Sequence, residues 1–69
     1  MPIRLITFAD LKAFVEQANK SSYDVLLSQN NYRINGKSVM GIMSLDLTQP
    51  LILNCDYRDT HLFEQFAAN

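Results

Sequence analysis

The chain is poor in the residues that most often carry special chemistry: it has one cysteine, one histidine, two glycines, two prolines and no tryptophan among 69 residues. A single cysteine excludes an internal disulfide, and with one histidine beside it no zinc ligand set can be assembled. A reducing, cytoplasmic setting is therefore expected. Two glycines are too few for a phosphate-cradling loop. Six Lys and Arg stand against seven Asp and Glu for a formal charge of -1, and no basic cluster supplies a footprint for nucleic acid or an anionic membrane. No apolar run approaches the roughly 20 residues of a membrane-spanning helix, and the opening Met1-Pro2-Ile3-Arg4-Leu5-Ile6 is too short for a signal peptide. No metal, no cofactor, no nucleic acid and no membrane are expected as partners.

What is present is an ordinary globular composition, 48% hydrophobic and 19% charged, expected to form one domain over residues 1–69. Repeats, linkers and low-complexity segments are absent from the sequence. Residues Ile3 to Ile6 read as a short strand, and Thr7 with Asp10 has the spacing of a capping arrangement that starts a helix. Phe8, Leu11, Phe14, Val15 and Ala18 recur at helical spacing, which predicts an amphipathic helix ending near Asn19-Lys20 with those residues on a sheet. Alternation from Tyr23 to Gln29 predicts a strand with Tyr23, Val25 and Leu27 on one side. Asn30-Asn31 suits a two-residue hairpin turn into Tyr32-Arg33-Ile34; the rival turn at Asn35-Gly36 is set aside because a helix cap follows it. After Thr48-Gln49-Pro50, a strand with Leu51, Leu53, Cys55 and Tyr57 facing inward is expected. A last short helix follows Asp59, buried along Leu62, Phe63, Phe66 and Ala67. The order is βαββαβα: an α+β open-faced sandwich, a mostly antiparallel four-stranded sheet with helices on one face.

One stretch combines a turn signal, a helix cap, an apolar face and a modifiable hydroxyl: Asn35-Gly36-Lys37-Ser38-Val39-Met40-Gly41-Ile42-Met43-Ser44-Leu45. Ser38 stands at the N-cap position of a helix expected to finish near Leu47. Val39, Met40, Ile42, Met43 and Leu45 are too many for one narrow stripe. Either all five are core, or part of the Met and Val surface is left open for a partner, a use that flexible methionine side chains suit. Elsewhere no catalytic constellation emerges. Cys55 reads as structural, and Asp24, Asp46, Asp56 and Asp59 lack metal-ligand spacing.

The stretch Lys37-Ser38-Val39-Met40-Gly41-Ile42-Met43-Ser44-Leu45, together with the βαββαβα order, resembles the histidine-containing phosphocarrier protein family, HPr, of the bacterial sugar phosphotransferase system. The likeness covers roughly Thr7 to Tyr57 with one gap near Pro50. It implies an HPr-like fold, a serine at Ser38 that an ATP-dependent kinase phosphorylates, and a docking patch at Val39, Met40 and Met43. The protein partner implied is a phosphotransferase-system enzyme, the HPr kinase or a transcriptional regulator. It also implies a loss. The family's active loop reads Gly-x-His-Ala-Arg-Pro, and against it Thr7 stands at the histidine, Ala9 at the phosphate-stabilising arginine and Asp10 at the proline. The expectation is a non-enzymatic regulatory or interaction module without phosphohistidine carrier activity. Two alternatives stay open: a carrier with a displaced acceptor, for which His61 is the sole histidine available, and a structural remnant of the fold.

Overall fold

The computed structural model describes residues 1–68. Among the described residues, four strands form one sheet in the order β1-β4-β2-β3, with every neighbouring pair antiparallel: β1 Pro2–Ile3, β2 Leu26–Gln29, β3 Tyr32–Asn35 and β4 Leu51–Asn54. Period-2 alternation decides which face is covered. Leu27, Leu51 and Leu53 are buried, while Leu26, Ile52 and Asn54 between them face outward and stay exposed. On the covered face lie two α-helices, α1 Phe8–Ala18 and α2 Val39–Met43, and two 3-10 helices follow β4 among the described residues, at Tyr57–Leu62 and Glu64–Phe66.

The opening strand is shorter than the Ile3–Ile6 reading because the helix that follows takes its backbone donors. Thr7 Oγ1 accepts from the Asp10 amide at 3.0 Å, and Asp10 Oδ2 accepts from the amides of both Thr7 and Ile6 at 3.0 Å. This capping box starts α1, which then buries Leu11, Phe14 and Ala18. Phe8 was expected on that face and is instead 60% exposed. At roughly 100° per residue it lies about 90° around the axis from the centre of the buried arc.

Strand β2 also starts late. Ser21 Oγ accepts from the Tyr23 amide at 3.0 Å and is hydrogen-bonded to the Asp59 carboxylate, so the chain turns before it can join the ladder. Tyr23, expected inward, lies exposed with the Arg58 guanidinium 4.3 Å from its ring centroid. The two-residue hairpin forms as expected: Gln29 pairs with Tyr32, and Asn30 takes the left-handed φ of 54°. Gly36 makes no turn of that kind. Its amide donates to the Val25 carbonyl at 2.7 Å, and a Cβ there would meet Val25 Cγ1 at 2.8 Å, so glycine serves close approach of the backbone.

At the far end, strand β4 stops at Asn54. Asp56 Oδ1 accepts from the Arg58 amide at 2.9 Å and opens a 3-10 helix, which leaves Tyr57 80% exposed and Cys55 half-buried where a continued strand would have turned both inward. The last segment is two 3-10 turns where one α-helix was expected. Phe63 and Phe66, three apart, then fall in line and pack on Phe14 at centroid distances of 5.0 and 5.4 Å; Leu62 is half-buried and Ala67 exposed. A bridge from Ala67 to Ile3, with Arg4 donating to the Phe66 carbonyl and Ala68 to that of Pro2, covers the outer edge of β1.

Candidate functional site

The helix α2 is built from local hydrogen bonds. Asn35 Oδ1 accepts from the Lys37 amide at 2.9 Å, turning the chain out of β3, and Lys37 Nζ reaches the Ser21 carbonyl at 2.9 Å. Ser38 is the N-cap, its Oγ accepting from the Gly41 amide at 3.1 Å. The missing side chain of Gly41 leaves room beside this hydroxyl, since a Cβ would lie 3.3 Å from Ser38 Oγ. The helix was expected to reach Leu47 but spans five residues. It ends because Ser44 Oγ donates to the Gly41 carbonyl at 2.6 Å and Asp46 Oδ1 accepts from the Thr48 amide at 3.0 Å, forming a turn. Gln29 then holds the turn in place: its amide nitrogen donates to the Asp46 carbonyl at 2.7 Å and its oxygen accepts from the Asp46 amide at 2.8 Å. The strand hairpin thereby positions the end of α2. A glutamine at a strand end carries no sequence signal for such a contact 17 residues away.

Burial divides the five apolar residues of this stretch. Ile42 and Leu45 enter the core, Val39 is half-buried, and Met40 and Met43 stand 82% and 57% exposed. Three residues apart on a helix, the two methionines share one face. Past α2, an open cleft of about 430 Å³ is lined by Arg4, Ile6, Leu45, Asp46, Leu47 and Thr48, with Arg4 Nη2 donating to the Thr48 carbonyl at 3.0 Å. Ile6 and Phe8, on either side of Thr7, are also exposed apolar residues. Helical spacing had placed Phe8 inward, and Ile6 had been read only as the end of the opening strand.

Thr7 is placed as the N-cap of α1, and its hydroxyl already serves the capping box. Hydrogen bonds from the backbone amides of Thr7 and Ile6 hold the Asp10 carboxyl below its ordinary value, so a fixed negative charge occupies this helix start. A phosphate placed on Thr7 would meet that charge. His61 lies elsewhere, exposed on the first 3-10 helix in a shallow depression with Gln17, Leu62, Glu64 and Gln65. Gln17 is on the last turn of α1, about 15 Å along the axis from the Thr7 end at 1.5 Å per residue. The structure does not bring His61 to Thr7. Arg58, the nearby arginine in sequence, is committed to Asp56 through Nε at 2.8 Å and Nη2 at 3.0 Å. This pairing draws the Asp56 carboxyl down to about 2.

The Cys55 thiol is pushed up by burial and by the charge of Asp59, the reverse of what a reactive thiolate needs. Asp46, Asp56 and Asp59 are each engaged by Thr48, Arg58 and Ser21, and among the described residues no group of three potential ligands could hold a metal ion. No helix is long and apolar enough to cross a membrane among those residues.

Comparison with known proteins matches residues 11–53 to the family described as the PTS HPr component phosphorylation site. The chain belongs to the HPr family. The matched stretch contains Ser38 and all of α2 and begins after the Thr7 cap. The HPr-like protein Crh of Bacillus subtilis is 47% identical over 32 residues, which is 46% of this chain and 38% of Crh. The match thus spans well under half of that relative's length. A crystal structure of selenomethionyl Crh, described as a Bacillus subtilis catabolite repression protein that forms an intertwined, swapped dimer, aligns with a TM-score of 0.66. It is 26% identical and covers 91% of this chain and 76% of that one. The HPr fold of the chain accordingly includes the four-stranded antiparallel sheet and the helix that Ser38 caps.

Proposed function

We propose that this HPr-family chain is a non-enzymatic, cytoplasmic interaction module of the sugar phosphotransferase system, phosphorylated on Ser38 and inactive as a phosphohistidine carrier. Val39, Met40 and Met43 dock a protein partner: a phosphotransferase-system enzyme, the HPr kinase or a transcriptional regulator. The observation that carries this reading is the division around α2, where Ile42 and, just past the helix, Leu45 enter the core while Met40 and Met43 face solvent on the helix that Ser38 caps. A phosphate on an N-cap serine meets unpaired amides and the positive end of the helix, so it is held with little rearrangement. It then sets about two negative charges beside an apolar patch, enough to change which partner binds there.

Loss of carrier activity follows from the Thr7 site. A carrier needs an imidazole whose phosphoramidate breaks easily, whereas a threonine phosphoester is not labile, and Asp10 opposes any phosphate at this helix start. The displaced-acceptor alternative requires His61, which lies toward the other end of α1. Incubation with ATP and the HPr kinase should add one phosphate to the protein and none to a Ser38→Ala variant. An unlabelled protein would remove the regulatory-serine assignment.

A further inference from the structure

We infer that the exposed thioethers of Met40 and Met43 form a paired oxidation site, whose conversion to sulfoxides turns the outer face of α2 polar without unfolding the domain. The effect on docking rests on the function proposed above; the chemistry at sulfur does not. Met40 and Met43 are 82% and 57% exposed, while the contacts that seat the helix come from Ile42 and Leu45. Oxidation of a buried methionine would force a polar group into the core; here the added oxygens meet water. Both sulfurs lie on one face, so a single exposure to oxidant changes the whole patch.

A hypohalous acid is a suitable oxidant. A sulfur lone pair attacks the halogen, the oxygen–halogen bond breaks and hydroxide leaves. Water then forms the sulfur–oxygen bond as halide departs and protons are released. Sulfur is oxidised by two electrons and the halogen reduced by two. A dithiol reverses the change, the oxygen leaving as water while the dithiol closes to a disulfide. A partner pocket that receives thioethers would have to desolvate two strong acceptors once they are sulfoxides, and would leave them unpaired.

The test uses a Cys55→Ser background, so that the half-buried thiol does not consume oxidant. The protein is treated with a few equivalents of hypochlorous acid and followed by peptide mass spectrometry, circular dichroism, retention on a phenyl column and labelling by ATP and the HPr kinase. Met40 and Met43 should gain one oxygen each at a rate close to that of free methionine in the same tube, with the helical signal kept. Retention should fall, and labelling should drop about tenfold, as expected for loss of one strong apolar anchor. A Met40→Leu, Met43→Leu variant should show no oxidant-dependent change in retention or labelling when each treated sample is compared with the untreated sample of the same variant. Slow oxidation of these two residues, loss of the fold on oxidation, or unchanged retention and labelling would overturn the inference. If the untreated protein is not labelled at all, the Ser38 assignment fails on its own, and mass, dichroism and retention still decide the oxidation site.

Discussion

Replacing the two exposed methionines together, Met40→Asp with Met43→Asp, separates a docking face from a core face. Full burial of a methionine side chain is worth about 1.5–3 kcal/mol. Met40 is 82% exposed and Met43 57% exposed. The area withdrawn from water therefore contributes roughly 0.5 kcal/mol for the first and about 1 kcal/mol for the second. Aspartate is a poorer helix former than methionine by a few tenths of a kcal/mol per site. Near the start of α2 a carboxylate interacts favourably with the helix dipole and at its end unfavourably, so these terms oppose one another. The double variant should lose about 1–2 kcal/mol. Ile42→Ala, at a fully buried position on the same helix, should lose about 2–5 kcal/mol. A domain of this size has only roughly 3–10 kcal/mol in hand. Urea denaturation followed by circular dichroism should find the double variant folded with a modestly lowered midpoint and the single core variant with a midpoint lowered substantially further. A double variant as damaged as Ile42→Ala would mean that the methionines are core, and the docking patch would be refuted.

Gly36→Ala pushes a Cβ to 2.8 Å from Val25 Cγ1 and 3.1 Å from the Val25 carbonyl oxygen, and the overpacking should remove about 1–3 kcal/mol, read as a lowered melting temperature. In acid, Asp56 and Asp10 both have folded-state values below their ordinary 3.8, with Asp56 at about 2. Their contribution to stability is complete above the unfolded value and is lost as the pH falls below it, in the case of Asp56 through about 2. An Asp56→Asn variant should show a flatter acid limb in a dichroism titration, and an unchanged limb would contradict the Asp56–Arg58 pairing. Thr7→His alone should accept no phosphate from phosphoenolpyruvate and the first enzyme of the system, because the Asp10 carboxylate remains and Ala9 supplies no guanidinium; scintillation counting of the variant checks this.

The fold was legible wherever short-range signals agreed with one another. The Thr7–Asp10 spacing announced α1, Asn30-Asn31 the hairpin, Ser38 the cap of α2, and alternation from Leu51 the inward face of β4. Boundaries were illegible where side chains distant in sequence decide them. Ser21 with Asp59 delays β2, and Gln29 with Asp46 holds the turn that follows α2. Neither pair carries a periodic pattern. The last helix failed for a related reason: a spacing of three between Phe63 and Phe66 suits either helix type, and contact with Phe14 and pairing of the tail with β1 select the tighter one. At the site, the residue types of α2 suggested an interaction surface, but the separation of Met40 and Met43 from Ile42 and Leu45 depends on the orientation of a five-residue helix. Composition could not supply that orientation.

The division of labour between the Ser38 helix and the Thr7 loop is tested most directly by offering the protein two phosphate donors and reading the intact mass after each. With ATP and the HPr kinase, one acid-stable phosphate should appear and map to Ser38. With phosphoenolpyruvate and the system's first enzyme, the mass should stay unchanged, whereas an acid-labile phosphate on His61 would contradict the loss of carrier function.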